Sequence, residues 1–225
     1  MPVSSGAPAA LRVDVISDVV CPWCLIGKRR LENALALVPD IPVDIHWRPY
    51  FLNPWIPREG IDRQTYLETK FGSAERYAVI AVRVVAAAAL EGLTYASDKI
   101  SRQPNTLDCH RLILWSRSAT DPANMKQRLM ELYFTEGADL SDPKILIQAA
   151  NDCGMDGDLV RRLLASDTDV DRIQGEAKAA KEAGIDGVPC FIFGGSTIVT
   201  GAQSPEYLAS AIERTAAGQQ TRLRA

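Results

Sequence analysis

The chain has 225 residues, with 25 Lys and Arg against 28 Asp and Glu, for a net charge of −3. That balance excludes a protein whose main work is gripping nucleic-acid phosphates. Five Cys are too few for a disulfide-stapled secreted domain, and two His leave little material for a zinc or non-haem iron centre. Met1–Ala10 lacks the basic and apolar regions of a leader, and Arg83 interrupts the longest apolar stretch, near Ala78–Leu90. A bilayer span needs about 20 apolar residues. The expectation is a cytoplasmic protein with no nucleic-acid partner, no membrane partner and no metal.

Leu11–Ser17 alternates apolar and polar and reads as a strand. It runs into Cys21-Pro22-Trp23-Cys24, after which Leu25, Ile26, Leu31 and Leu35 recur at helical spacing. Pro22 suits the first helical turn, and Pro39 bounds the helix. Val43–Trp47 alternates again, so the front of the chain reads as a parallel βαβ unit. From Asp62 to about Ala183 the pattern is helical throughout, in segments Gln64–Phe71, Glu75–Glu91, Leu107–Ala119, Ala123–Glu136, Pro143–Cys153, Gly157–Ala165 and Val170–Ala183, with no strand. Cys190–Phe193 and Thr197–Thr200 form a hairpin about Gly194-Gly195 in a primed turn, and Ser204-Pro205-Glu206 opens a last helix. The order βαβ, helical block, ββα predicts an α/β thioredoxin-like fold with a large all-helical insertion. Residues 11–58 and 185–215 form the thioredoxin-like domain, and 59–184 the insertion.

Cys21 and Cys24 carry the chemistry. Residues three apart share a helix face, and the pair follows a strand and opens a helix. Cys21 there meets unpaired backbone N–H groups and the positive end of the helix dipole. Such placement lowers a thiol from about 8.5 toward about 3.5–7. Cys24, one turn deeper, is the resolving thiol. A zinc site would need further ligands, and Cys109, His110, Cys153, Cys190 and His46 form no second C-x-x-C. Gly187-Val188-Pro189 starts the second strand block; a cis Val188–Pro189 bond would free the Val188 backbone to pair with an extended thiol ligand.

Asp18 to Arg30, with Pro104-Asn105-Thr106, Tyr133–Gly137, Gly187-Val188-Pro189 and Gly201-Ala202-Gln203, resembles the DsbA-like thioredoxin superfamily, in its cytoplasmic FrnE-type branch. The resemblance implies dithiol–disulfide chemistry at Cys21 and Cys24 and a cis-Pro at Pro189 facing both sulfurs. The same superfamily holds 2-hydroxychromene-2-carboxylate isomerases and kappa-class glutathione transferases, so a glutathione-dependent isomerase or transferase is the alternative. Those relatives typically carry Ser in place of Cys21 and lack the second Cys, so two thiols favour redox chemistry. By analogy, Asn53, Val188, Gln203 and Ser204 would hold a glutathione-like thiol as co-substrate, with no tightly bound cofactor. Asn105, from the Pro-Asn region, joins these candidates, and Trp23 would contact substrate. Partners are a protein or small-molecule thiol or disulfide; a homodimer is left open.

The pattern also has departures. Val15 stands where thioredoxin and DsbA have a buried acid, so the proton of Cys24 must use water, Asp18 or another group. Cys190, after Pro189, reads as a third thiol near the site or a small core residue. Cys109 and Cys153 read as free buried thiols. His110 either packs over the site or is a satisfied interhelical histidine. Lys28, Arg29 and Arg30 read as a solvated face or a mild positive field.

Overall fold

The computed structural model describes residues 10–224. β1 (Leu11–Ser17) leads through the Cys21 turn into α1 (Pro22–Leu37) and then β2 (Val43–Pro49). β1 and β2 pair in parallel, with Val13 opposite Ile45 and Val15 opposite Trp47. β5 (Cys190–Phe193) joins the other side of β1 antiparallel, and β6 (Thr197–Thr200) pairs back on β5, giving the order β2-β1-β5-β6. Gly194 and Gly195 take φ of 56° and 73°, and the Ser196 N–H closes the turn on the Phe193 carbonyl. Only glycine adopts two such residues in succession without cost, which fixes the hairpin at that point.

β1 is one of the two inner strands of the sheet, and its burial fits that place. Leu11, Val13 and Val15 point into the core, and Ile16 and Ser17 are buried as well. α1 and α9 (Pro205–Arg224) pack together beside β1 and β5, while α8 (Val170–Glu182) packs on β2. This is the thioredoxin fold with a helical insertion.

The inserted stretch holds α2 (Arg63–Phe71), α3 (Ala74–Leu90), α4 (Leu107–Trp115), α5 (Pro122–Glu131), α6 (Pro143–Asp152), α7 (Gly157–Leu164) and α8. Asp62, Ser73, Asp121, Asp142 and Asp156 cap five of these helices with side-chain oxygens on backbone N–H groups. The expectation that this stretch holds no strand is corrected. β3 (Ile61–Asp62) pairs antiparallel with β4 (Arg102–Gln103). Two-residue strands are too short to show a period of two. The segment expected as one helix to Glu136 ends in a π-helical turn over Leu132–Glu136.

Sheet and insertion share one apolar core. A contiguous cluster runs from Val13, Phe191 and Phe193 to Met125, Leu129, Tyr133 and Ala149. The helices inserted between β2 and β5 are therefore packed against the strands and not tethered beside them.

Candidate active site

Cys21 is the N-cap residue of α1, with extended backbone and Pro22 directly after it. No side chain caps this helix end, so its first N–H groups are free to face the Cys21 sulfur. The Cys24 N–H also closes on the Cys21 carbonyl at 2.9 Å, which winds the turn tightly enough to bring the thiols together. Both sulfurs are largely shielded, Cys21 at 4% exposure and Cys24 at 2%.

The two thiols are driven apart in acidity. The Cys24 thiol donates a hydrogen bond to the Cys21 sulfur, and the Cys24 and Trp23 backbone N–H groups add theirs; against burial and the charge of Asp18, the Cys21 thiol is held below its ordinary value. Cys24 goes well above its ordinary value, chiefly through burial and then through the hydrogen bond and charge shared with Cys21. A thiolate at the outer position and a protonated thiol at the inner one is the division of labour needed for nucleophile and resolver.

The Val188–Pro189 peptide bond is cis. The Cys21 sulfur lies 3.6 Å from the Val188 carbonyl oxygen. Gly27, one turn beyond the thiols, is what lets α1 approach this loop. A Cβ there would stand 2.7 Å from Pro189 Cγ and 3.3 Å from Phe191 Cζ.

The other sequence candidates separate. Trp23 is half-exposed between the two Cys, at 37%. Asn53 is buried, and its side-chain oxygen accepts from Lys70 Nζ at 2.5 Å. The Asn105 amide donates to the Ile56 carbonyl at 2.6 Å, and its oxygen accepts the Leu107 N–H at 2.9 Å, so its polar atoms tie a loop to the start of α4. Asn105 also lines a cleft of about 330 Å³ with Phe51, Pro54 and Lys181, whereas Val188 and Cys190 line a different cavity of about 430 Å³. Gln203 is exposed and donates to the Thr200 carbonyl; Ser204 is exposed and accepts the Tyr207 N–H within the first turn of α9. The structure thus brings Cys21, Cys24, Val188 and Pro189 together, and engages the polar atoms of Asn105, Gln203 and Ser204 in contacts with backbone groups.

Several other readings change. Lys28 is buried and bonds Gln127 of α5 at 2.8 Å as well as Glu32, and Arg30 bonds Glu91 at the end of α3 and the Ala202 carbonyl. These residues staple α1 to its neighbours and form no solvated face. Cys190 is a fully buried core residue packed with Ile16 and Tyr50. Cys109 is buried, but Cys153 is only half-buried. His110 is buried edge-on to Phe51, 3.5 Å from Asp18, and its Nε2 has no hydrogen-bond partner among the described residues, so it is not the satisfied histidine expected.

Two lysines escaped the sequence reading. Burial pulls the Lys70 ammonium down while the charge of Cys21 pulls it back up. Lys126 of α5 is buried, with its charge set against Cys24 and Asp18. No local pattern marks either one, because each reaches the dithiol from a helix far away in sequence.

Residues 12–213 match the model of the DSBA-like thioredoxin domain. The chain belongs to that family. Among solved structures, a probable DsbA oxidoreductase from Streptomyces coelicolor is 28% identical, with a TM-score of 0.82 over 91% of this chain and 89% of that one. A 2-hydroxychromene-2-carboxylate isomerase shares the fold at 17% identity and a TM-score of 0.69, over 94% and 98% of the two chains. So does the cytosolic disulfide reductase DsbM from Pseudomonas aeruginosa, solved with glutathione, at 16% identity and a TM-score of 0.58, over 96% and 100%. At 17% and 16% identity, the last two are likenesses of fold.

Proposed function

We propose that the protein is a thiol–disulfide oxidoreductase acting at Cys21 and Cys24. The observation that carries this reading is the opposed acidity of the two thiols, with Cys21 lowered at a helix start and Cys24 raised behind it. The Cys21 thiolate attacks a substrate disulfide, forms a mixed disulfide and releases one substrate thiolate. Cys24 then loses its proton and attacks the Cys21 sulfur. The Cys21–Cys24 bond forms, the second substrate thiolate leaves, and two electrons have passed to the substrate. Two external thiols reverse the sequence and regenerate the dithiol. The same exchange run backward oxidises a substrate dithiol.

Val188 and Pro189 stand where an extended thiol ligand would pair, since the Val188 carbonyl already lies beside Cys21. The half-exposed Trp23 adds an apolar contact at the rim. Asn53, Asn105, Gln203 and Ser204 belong to the proposal as outer contacts, available only if their present partners are exchanged for substrate. The partner is a protein or a small-molecule thiol such as glutathione. A reducing cytoplasm suits a chain whose five cysteines are too few for a disulfide-stapled domain.

Likeness to an isomerase keeps a second reading in play, a glutathione-dependent isomerase or transferase in which Cys21 holds or activates glutathione. The two readings part at Cys24. In dithiol exchange, Cys24→Ala stops turnover and leaves a stable Cys21 mixed disulfide with oxidised glutathione or insulin, visible by intact mass. In the second reading the variant keeps most of its activity. Full insulin reduction by Cys21→Ser would refute the dithiol reading.

A further inference from the structure

A groove of about 630 Å³ lies on the insertion, lined by α2, α3 and the turn Ser97–Lys99. None of Cys21, Cys24, Val188 and Pro189 lines it, so it is separate from the dithiol. Ligand cavities run from about 300 to 1,000 Å³ and set a few polar groups in apolar walls. This groove has that make-up. α3 lines it from Ala78 to Ala86, with Val82 and Val85 between, and α2 adds Leu67. Val82 is 68% exposed and Val85 44%, apolar surface that the fold leaves uncovered. At about 1.5 Å per residue, the stretch from Ala78 to Ala86 gives a wall about 12 Å long.

The polar groups are few, and one of them lacks a counter-charge. Arg63 opens α2 and lines the groove together with Tyr77. Its guanidinium is half-buried, with Cζ 5.1 Å from the ring centres of both Tyr66 and Tyr77. Its side-chain hydrogen bonds among the described residues run from Nη1, to the Gln103 side-chain oxygen and to the Tyr133 hydroxyl at 3.4 Å. These partners are all neutral. Nε and Nη2 have no partner among the described residues and are not sealed from solvent. Those two nitrogens form the guanidinium edge that grips a carboxylate in two parallel bonds. Arg58 holds Asp108 through the same two atoms, at 3.1 and 3.0 Å.

A charge withdrawn from water is costly unless it is paired. Asp98 lines the groove too, but it is exposed, and water serves its charge. The half-buried Arg63 is the group that gains from a ligand.

We propose that this groove binds an alkyl carboxylate, with the carboxylate on Nε and Nη2 of Arg63 and the chain lying along α3 toward Ala86. Tyr77, stacked with Arg63, stands at the start of the α3 wall, which places the charged end there. A long wall of small Ala and Val side chains matches an extended chain and not a flat ring. The site goes beyond the dithiol reading and does not depend on it.

The test is calorimetric titration of the full-length protein with laurate below its micelle concentration. Dodecyltrimethylammonium supplies the same chain length with the opposite charge, and 2-naphthoate supplies the same charge on a flat ring. Laurate is expected to bind, and both comparison compounds to bind at least about tenfold more weakly. Arg63→Gln lowers laurate affinity about tenfold or more by removing the charged donors. Val82→Glu, at an exposed position where folding is not at stake, has a similar effect by setting a carboxylate on the wall. Asp98→Asn binds laurate at least as tightly as the parent. Failure of the parent to bind laurate, equal binding of either comparison compound, or full affinity in Val82→Glu overturns the proposal. So does weakened binding in Asp98→Asn, which would put the charged end on the turn. Should Arg63→Gln not fold, Val82→Glu and the comparison compounds decide.

Discussion

Gly27→Ala sets two effects of opposite sign against each other. Gly27 lies inside α1, where Ala is favoured over Gly by about 1 kcal/mol in a helix. The added Cβ, however, meets Pro189 Cγ at 2.7 Å and Phe191 Cζ at 3.3 Å. Carbon atoms rest about 3.5–4.0 Å apart, so roughly 1 Å of separation must be found. Pro189 is part of a closed ring, and the Gly201 N–H holds its carbonyl at 2.8 Å, so the loop cannot simply rotate a side chain away. Overpacking of this kind costs about 1–3 kcal/mol. The net expectation is a loss of up to about 2 kcal/mol in urea unfolding, read as a lower midpoint at unchanged slope. The Val188 carbonyl, 3.6 Å from the Cys21 sulfur, moves with Pro189. The pH profile of Cys21 alkylation by iodoacetamide therefore changes with it. A variant stabilised by about 1 kcal/mol, as helix propensity alone would give, with an unaltered alkylation profile, refutes this account of the site's packing.

Two further substitutions probe the insertion. Arg111 is fully buried and donates to the Leu163, Ser166 and Thr168 carbonyls and to Asp108, while stacking on Trp115; Arg111→Met strands those acceptors and should cost about 3–5 kcal/mol in urea unfolding. A loss below about 1 kcal/mol would show that water replaces the guanidinium freely. Lys126→Met should do the reverse. Burial holds Lys126 near 8 in the fold against 10.5 ordinarily, a gap of about 3 kcal/mol at about 1.4 kcal/mol per pH unit. Because the unfolded chain binds the proton more tightly, the penalty is full below pH 8 and fades as pH rises toward 10.5. The variant is thus expected to be more stable at pH 7 and to converge on the parent by pH 10.5. A stability difference that does not vary with pH would contradict it.

Much of this molecule can be read locally. The alternation in Leu11–Ser17 and Val43–Trp47, and the Gly194-Gly195 pair, carry their structure in neighbouring residues. So does the thiol pair, because a strand, a Pro at the first helical position and three-residue spacing determine where two sulfurs stand. What was not legible depends on distance in the chain. Lys28 looks solvated on its own helix and is buried only because Gln127 comes to meet it, 99 residues later. The β3–β4 ladder joins residues 40 and 42 apart with two positions each, below any periodic signal. His110 and Lys126 sit on helices whose local patterns do not distinguish a charged residue turned inward from one turned to water. Asn105, Gln203 and Ser204 are candidates only by likeness to other chains, and hydrogen bonds with backbone groups, one of them from Asn105 to Ile56 49 residues away, occupy them here.

The two missed lysines bear on why the helices belong to the site at all. The thioredoxin-like strands and α1 supply both sulfurs, the helix start and the Val188 carbonyl, but Asp18 is an anion that opposes a thiolate at Cys21. The compensating charges arrive from the insertion. Lys70 on α2 bonds Asn53 and feels the charge of Cys21; Lys126 on α5 feels that of Cys24. Burial lowers both ammonium groups, which is the cost of holding a cation close enough to act. A Coulomb interaction strengthens as water is removed, so a buried cation does more for a thiolate than the same charge on the surface. Shared packing from Phe191 to Leu129 keeps α5 fixed relative to the sheet. The insertion therefore supplies cations to the dithiol; without it Cys21 would form its anion against Asp18 with no lysine from α2 or α5 to offset it.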